Sequence, residues 1–219
     1  PDVAEEVLST GCADMVSMAR PMLADPHFVA KAAADKAAQI APCIACNQAC
    51  LDHTFGGKIS SCLVNPLACY ETELPITPTD TPKSIAIVGA GPAGLSTAIT
   101  AAQRGHSVTL FDKSDEVGGQ LNMAKQIPGK EEFWGLVDWY RTMVDTLGIT
   151  TKLGTTATPD MLKGFDEVII ATGVLPRDPA IPGQEGANVM DYIDVLRHKK
   201  PVGKSVAVVG AGGIGFDVS

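Results

Sequence analysis

An α/β fold is what the sequence predicts, on three observations. From Ser84 onward, short apolar runs alternate with helix-length stretches. Two glycine-rich turns of the form G-x-G-x-x-G, Gly89–Gly94 and Gly210–Gly215, each follow an apolar run and open a helical stretch. Ala171-Thr172-Gly173 closes a further apolar run between them. Strands that each end in a loop and lead into a helix make a parallel sheet with helices on its faces, the Rossmann-like arrangement.

Composition bounds the function. Of 219 residues, 45% are hydrophobic and 19% charged, which supplies a sizeable core and excludes a disordered or collagen-like chain. Lysine and arginine number 17 against 25 acidic residues, and the net charge of −8 repels a phosphate backbone, so no nucleic-acid partner is expected. Four of the six cysteines lie between Cys43 and Cys62, with Cys12 and Cys69 outside, which suggests one local site rather than a disulfide framework. The uncharged stretch Ser84–Gln103 has the length of a membrane span, but Gly89, Gly91, Pro92 and Gly94 in its first half fit a strand, turn and helix better. No membrane partner is expected, and the expected location is the cytoplasm. Pro1 opens directly on the amphipathic Val3–Leu8, and Ser219 stops inside a first helical turn, so both ends are expected to be internal to a longer protein.

Taken in order, Met15–Met18 predicts a strand, Ala19-Arg20-Pro21 a loop, and Asp25–Gln39 a helix. Cys43–Cys69 is irregular. Leu74–Pro82, with Pro75, Pro78 and Pro82, reads as a semi-rigid linker. Then come strand Ile85–Val88, helix Ala93–Arg104 and strand Ser107–Phe111. The helix Glu131–Leu147 places Phe133, Leu136, Val137, Tyr140, Met143, Val144 and Leu147 on one face, with acidic residues at its start and Gly148 past its end. Strands Ile149–Leu153, Glu167–Ala171 and Ser205–Val209 complete the pattern. The divisions are 1–42, 43–82 for the cysteine segment and linker, 83–200 for the first nucleotide-binding domain, and 201–219 for the start of a second.

The first fingerprint has the parts that a dinucleotide needs. Gly89 permits a tight turn, Gly91 lets backbone approach a pyrophosphate, and Gly94 allows close packing of helix on strand. Ala90, Pro92 and Ala93 complete the turn and the helix start, whose free N–H groups favour an anion. Asp112, 23 residues after Gly89, ends the next strand and can accept from a ribose hydroxyl. A glycine turn without a ligand is the competing reading. The second fingerprint offers Gly210, Gly212 and Gly215, but its selector residue would fall near residue 230, so NADH and NADPH are not separated.

The cysteines are spaced C-x2-C-x3-C-x11-C over Cys43, Cys46, Cys50 and Cys62. Thiolates are soft donors that hold iron-sulfur clusters and zinc alike, and spacing leaves both open. Structural zinc sites more often show two closely spaced pairs, so a [4Fe–4S] cluster is favoured. His53 and Cys69 are alternative ligands. Cys12 is expected to be a small buried core residue, and His27, His106 and His198 carry no assigned role.

Two fingerprints 121 residues apart, with Ala171-Thr172-Gly173 between them, resemble the pyridine nucleotide-disulfide oxidoreductase architecture. The resemblance implies FAD at Gly89, Ala90, Gly91, Pro92, Ala93, Gly94, Asp112, Lys113, Gly119, Gln120, Thr172 and Gly173. It implies NAD(P)H at Gly210, Gly212 and Gly215. No cysteine follows Cys69, so flavin electrons leave by a route other than a disulfide.

Cys43–Tyr70, Gln126–Phe133 and Gly212–Asp217 further resemble the bacterial 2,4-dienoyl-CoA reductase family. Its members join an FMN-bearing TIM barrel to an iron-sulfur segment and a FAD/NAD(P)H module. That resemblance implies that residues 1–42 end the barrel, with Met15–Met18 as its last strand and Ala19 and Arg20 at the FMN phosphate. Cys43, Cys46, Cys50 and Cys62 would carry a [4Fe–4S] cluster. Electrons would run from NAD(P)H through FAD, cluster and FMN to a conjugated enoyl thioester of fatty acid β-oxidation, an acyl-CoA being the small-molecule partner. No catalytic residue is expected in this stretch, the proton donor belonging to the barrel. The alternatives are another iron-sulfur enoate reductase, an amine dehydrogenase of the trimethylamine type, a zinc-stabilised FAD/NAD(P)H electron-transfer subunit, and a non-catalytic nucleotide-binding module.

Overall fold

The computed structural model describes residues 1–219. Its centre is β1 (Ser84–Val88), where Ile85, Ala86 and Ile87 are buried. A parallel strand covered on both faces reads as such a continuous apolar run. β2 (Ser107–Phe111) pairs parallel with β1 from Ser84↔Ser107 to Val88↔Phe111. β3 (Thr150–Lys152) continues outward from β2, and β4 (Glu167–Ile170) pairs parallel with the other side of β1. The order β3-β2-β1-β4 therefore reverses direction at β1. Ser84 fixes the start of that strand by donating from both its N–H and its hydroxyl to Asp166 Oδ2, each at 2.7 Å. These bonds, backbone first, hold the Asp166 carboxyl below the usual carboxylate range.

Helix α5 (Pro92–Gln103) packs on β1 and β2, and α7 (Glu132–Thr146) packs against α5 and shares its core. α7 buries Leu136, Val137, Tyr140, Met143 and Val144, the predicted face, and Tyr140 Oη meets Ser96 Oγ at 2.9 Å. The core also takes in Leu95, Ala98 and Ile99 of α5 and Val108 and Leu110 of β2. Two short helices complete the surface here, α6 (Leu121–Ala124) and α8 (Pro159–Leu162).

The N-terminal segment departs from the sequence reading. Val3–Leu8 belongs to helix α1 (Asp2–Ser9). Met15–Met18 forms no strand, because no neighbouring strand in this chain offers its backbone groups a ladder. The single helix expected over Asp25–Gln39 is instead α3 (Phe28–Ala33) and a 3-10 turn at Ala37–Gln39. The break falls at Asp35, whose φ of +58° no helix interior accepts. Asp25 lies outside α3 because its buried carboxylate accepts from His27 N–H at 3.0 Å, Lys31 Nζ at 2.6 Å and Ala41 N–H at 2.9 Å. Cys12 is exposed rather than buried, since it follows the end of α1 with nothing packed over it. Ser205–Val209 is likewise no strand, and Val206, Val208 and Val209 are exposed, again for want of a partner strand in this chain.

Candidate functional site

The first fingerprint leaves the carboxyl end of β1, where the strand order reverses, which is where open α/β sheets bind ligands. Gly89 turns with φ +116°, a left-handed-side conformation that disfavours any side chain. A Cβ there would also lie 2.6 Å from the Ala171 carbonyl carbon and 3.0 Å from Thr172 N. A Cβ on Gly94 would lie 3.0 Å from the Gly89 carbonyl carbon and closer still to its oxygen, so α5 starts hard against the turn. Gly91 differs: a Cβ there meets nothing within 4 Å, and it caps α5 just ahead of Pro92 and the exposed Ala93. Close packing on two sides and open space on the third make a cradle that a pyrophosphate fits.

Asp112 shapes that cradle. Its Oδ2 accepts from Ala90 N–H at 2.6 Å and its Oδ1 from Ser114 N–H at 2.7 Å. A carboxylate has about four lone-pair sites, so it can still accept from a ribose hydroxyl. Lys113 follows it, exposed. Gly118 N–H donates to Ala90 O at 2.8 Å, bringing Gly119 so close to Gly91 that a Cβ on it would be 2.9 Å from the Gly91 Cα. Gln120 Nε2 reaches Val174 O at 3.2 Å, tying this wall to the segment after Thr172 and Gly173. Asn122 donates from Nδ2 to Val117 O, while its Oδ1 is buried with no partner. That orphaned acceptor beside Gly118 and the open face of Gly91 both fit a bound dinucleotide such as FAD.

The second fingerprint repeats the local geometry without the sheet. Gly210 has φ +117°, α10 (Gly213–Asp217) follows Gly212, and a Cβ on Gly215 would lie 3.0 Å from the Gly210 carbonyl carbon. Lys130 holds α10 to the first domain through Asp217 at 2.6 Å. α9 (Tyr192–Leu196), capped by the Asp191 carboxylate, lies in the intervening chain.

All four predicted thiols come together. Cys43, Cys46, Cys50 and Cys62 line one small cavity of about 20 Å³, together with Arg20 and Asn47. The loop between them bends through Ala45 and Asn47, with φ of +53° and +60°, into a π-helical turn at Gln48–Asp52. Ser61 N–H donates to Ala49 O at 2.7 Å, returning Cys62 to the other three. No three cysteine, histidine, aspartate or glutamate side chains are placed to hold one metal ion. Four thiols around a shared space are soft donors of the kind that zinc and iron-sulfur clusters both take. His53 and Cys69 lie outside this lining: His53 Nδ1 is engaged with Ile59 O at 3.0 Å, in short helix α4 (His53–Phe55), and Cys69 is exposed.

Ala19 and Arg20 form no open loop. Ala19 caps the short helix α2 (Arg20–Ala24), and Arg20 Nη1 donates to Asn47 Oδ1 in the cysteine loop. The cysteine segment is itself docked on the nucleotide domain. Ile44 and Val64 pack against the core of that domain, and Trp139 Nε1 donates to Gln39 O at 3.0 Å. Asn47, Asn122 and Trp139 were not evident as site residues from sequence: Asn47 and Trp139 act through contacts 27 and 100 residues along the chain, and Asn122 through the local turn at Val117 and Gly118. The position of Trp139 between the apolar positions of α7 is the one available signal for it.

The family model described as pyridine nucleotide-disulphide oxidoreductase matches residues 83–219. The chain is 43% identical over 225 residues to a metal reductase of Desulforamulus reducens, covering 100% of this chain and 34% of that protein. It is 34% identical to a cinnamate reductase of Clostridium sporogenes, covering 100% of this chain and 33% of that one. The solved structure of a 2-naphthoyl-CoA reductase with 2-naphthoyl-CoA superposes with a TM-score of 0.96 at 36% identity, over 100% of this chain and 34% of that chain. The chain thus spans about a third of the length of the proteins it resembles. No helix is long and apolar enough to cross a membrane. With the glycine cradle at the sheet reversal and the family match over the same residues, the chain belongs to the pyridine nucleotide-disulphide oxidoreductase family.

Proposed function

We propose that this chain is the electron-feeding part of an NAD(P)H-dependent reductase of conjugated enoyl thioesters, of the 2,4-dienoyl-CoA reductase kind. The observation that carries the reading is the docking of the four-thiol cavity onto the nucleotide domain through Ile44, Val64 and the Trp139 to Gln39 bond. A cofactor in the cradle and one on the thiols would be fixed at a set separation. The relatives named cinnamate reductase and 2-naphthoyl-CoA reductase support an α,β-unsaturated or aromatic acyl acceptor.

When bound, FAD, a [4Fe–4S] cluster and FMN supply the conversion of a nicotinamide hydride into single electrons and back into a pair. The residues of this chain do the holding. Gly89, Gly91 and Gly94 give the pyrophosphate its backbone approach, and Asp112 fixes the turn while keeping acceptor capacity for ribose. Gly119 and Gln120 close the cradle from the side. Gly210, Gly212 and Gly215 would receive NAD(P)H, and Cys43, Cys46, Cys50 and Cys62 the cluster. Arg20 stands on the far side of the thiols from the nucleotide domain's fingerprint in chain order, where the FMN site would begin.

The test is NAD(P)H-driven turnover by the full-length protein on a dienoyl-CoA, free cinnamate, a methylamine and a ferric chelate. Reduction of the thioester with the highest kcat/KM is expected. Turnover confined to the free acid, the amine or the metal would overturn the substrate assignment.

A further inference from the structure

We propose that Arg20 is a charge-setting residue of the thiol cavity, held there by Asn47, and that it makes an electron carrier on the four cysteines easier to reduce. This rests on the reading that those cysteines hold an iron-sulfur cluster. Arg20 is the only cationic side chain lining the cavity, and no acidic side chain lines it. A guanidinium keeps its charge at every working pH. The step concerned is the gain of one electron by the cluster from reduced flavin in the cradle, with no bond made or broken. A fixed positive charge beside the site stabilises that added electron, because cluster potentials follow net charge, hydrogen bonding to sulfur and solvent exposure.

The placement of Arg20 is built. Its Nη1 donates to Asn47 Oδ1, and Asn47 is the residue after Cys46, held at φ +60°. Asparagine tolerates that conformation better than most residues while still offering an acceptor. The other end of α2 is clamped from the same segment, by Asn65 Nδ2 donating to Leu23 O at 2.8 Å. Asp25, just past the end of α2, accepts from Ala41 N–H, two positions before Cys43. Two bonds from the cysteine segment and one from Ala41 just before it thus fasten residues 20–25, and the Asn47 bond alone sets the guanidinium.

The test is a redox titration of the full-length holoprotein, followed by the EPR signal of the cluster, with iron and sulfide counted on the same samples. Arg20→Gln is expected to lower the reduced-to-oxidised ratio at fixed poise about tenfold, a midpoint about 59 mV more negative for one electron. Arg20→Lys keeps the charge and is expected to stay within about threefold of the unsubstituted protein. Asn47→Gly keeps the left-handed backbone but removes the tether, and is expected to shift the midpoint the same way by a smaller amount. An iron-loaded Arg20→Gln protein with an unshifted midpoint would overturn the proposal. If Arg20→Gln loses its iron, an unshifted Asn47→Gly midpoint would overturn it instead. Unsubstituted protein without iron would overturn the cluster reading itself, and this proposal with it.

Discussion

Replacing Gly94 and Gly91 separately with alanine divides the cradle into its packing part and its ligand part. At Gly94 the added Cβ would fall 3.0 Å from the Gly89 carbonyl carbon, nearer its oxygen, and 3.5 Å from the Ala171 Cβ. Ordinary contacts begin near 3.4 Å, and the obstacle is backbone that cannot rotate away. Overpacking of this kind costs about 1–3 kcal/mol, and the rigid neighbour puts it at about 3 kcal/mol. Alanine regains about 1 kcal/mol of helix propensity, leaving a net loss of about 2 kcal/mol. For a chain of this size that is a drop in Tm of about 4–8 °C. At Gly91 the Cβ meets no protein atom, and φ −77° with an extended ψ suits alanine. Gly91→Ala is therefore expected to lose under about 1 kcal/mol, the cost of a poorer helix cap. It would nonetheless fill the pyrophosphate space and weaken FAD binding at least about tenfold, a loss of about 1.4 kcal/mol or more. Urea unfolding by circular dichroism and FAD titration by flavin fluorescence measure both. A Gly94→Ala protein as stable as its parent, or a Gly91→Ala protein that binds FAD undiminished, would refute the reasoning.

Asp166→Asn tests the clamp on β1. Since the Ser84 bonds depress the folded carboxyl below its ordinary 3.8, their stabilisation is present above that pH and lost as pH falls through the lower folded value. The substitution is expected to flatten that part of the acid limb in a pH series of urea melts, and an unchanged limb would count against the clamp. Trp139→Phe keeps an aromatic ring but loses the indole N–H that donates to Gln39 O, a bond of about 1 kcal/mol; limited proteolysis is expected to cut residues 34–66 faster, with the nucleotide domain left intact. Cys62→Ser is expected to empty the thiol site of iron while Cys69→Ser, outside the cavity, leaves it loaded, as read by metal analysis.

The centre of the parallel sheet was legible because β1 and β2 are buried apolar runs. Ile85–Val88, Ser107–Phe111 and Glu132–Thr146 fall within a residue or so of the elements expected from apolar runs and 3.6-residue spacing. Met15–Met18 and Ser205–Val209 have the same apolar character and yet form no strand. A strand needs a neighbour's backbone, and no local pattern reports whether one is present. The long helix over Asp25–Gln39 failed for a different reason: the Asp25 carboxylate spends its hydrogen bonds on His27, Lys31 and Ala41, contacts that reach 16 residues along the chain. At the site, the fingerprint glycines and the four thiols were readable from spacing alone. The Arg20 to Asn47 bond was not, since it exists only once loops 27 residues apart have closed on one another, and the orphaned Asn122 oxygen was not, since burial of one side-chain atom leaves no mark in residue spacing.

The central claim is that the docked thiol cavity is an electron relay. Iron, acid-labile sulfide and zinc determined together on anaerobically purified full-length protein test it most directly. The account predicts about four iron and four sulfide for each set of Cys43, Cys46, Cys50 and Cys62, in a brown protein with little zinc. A colourless protein carrying one zinc and no sulfide would contradict it.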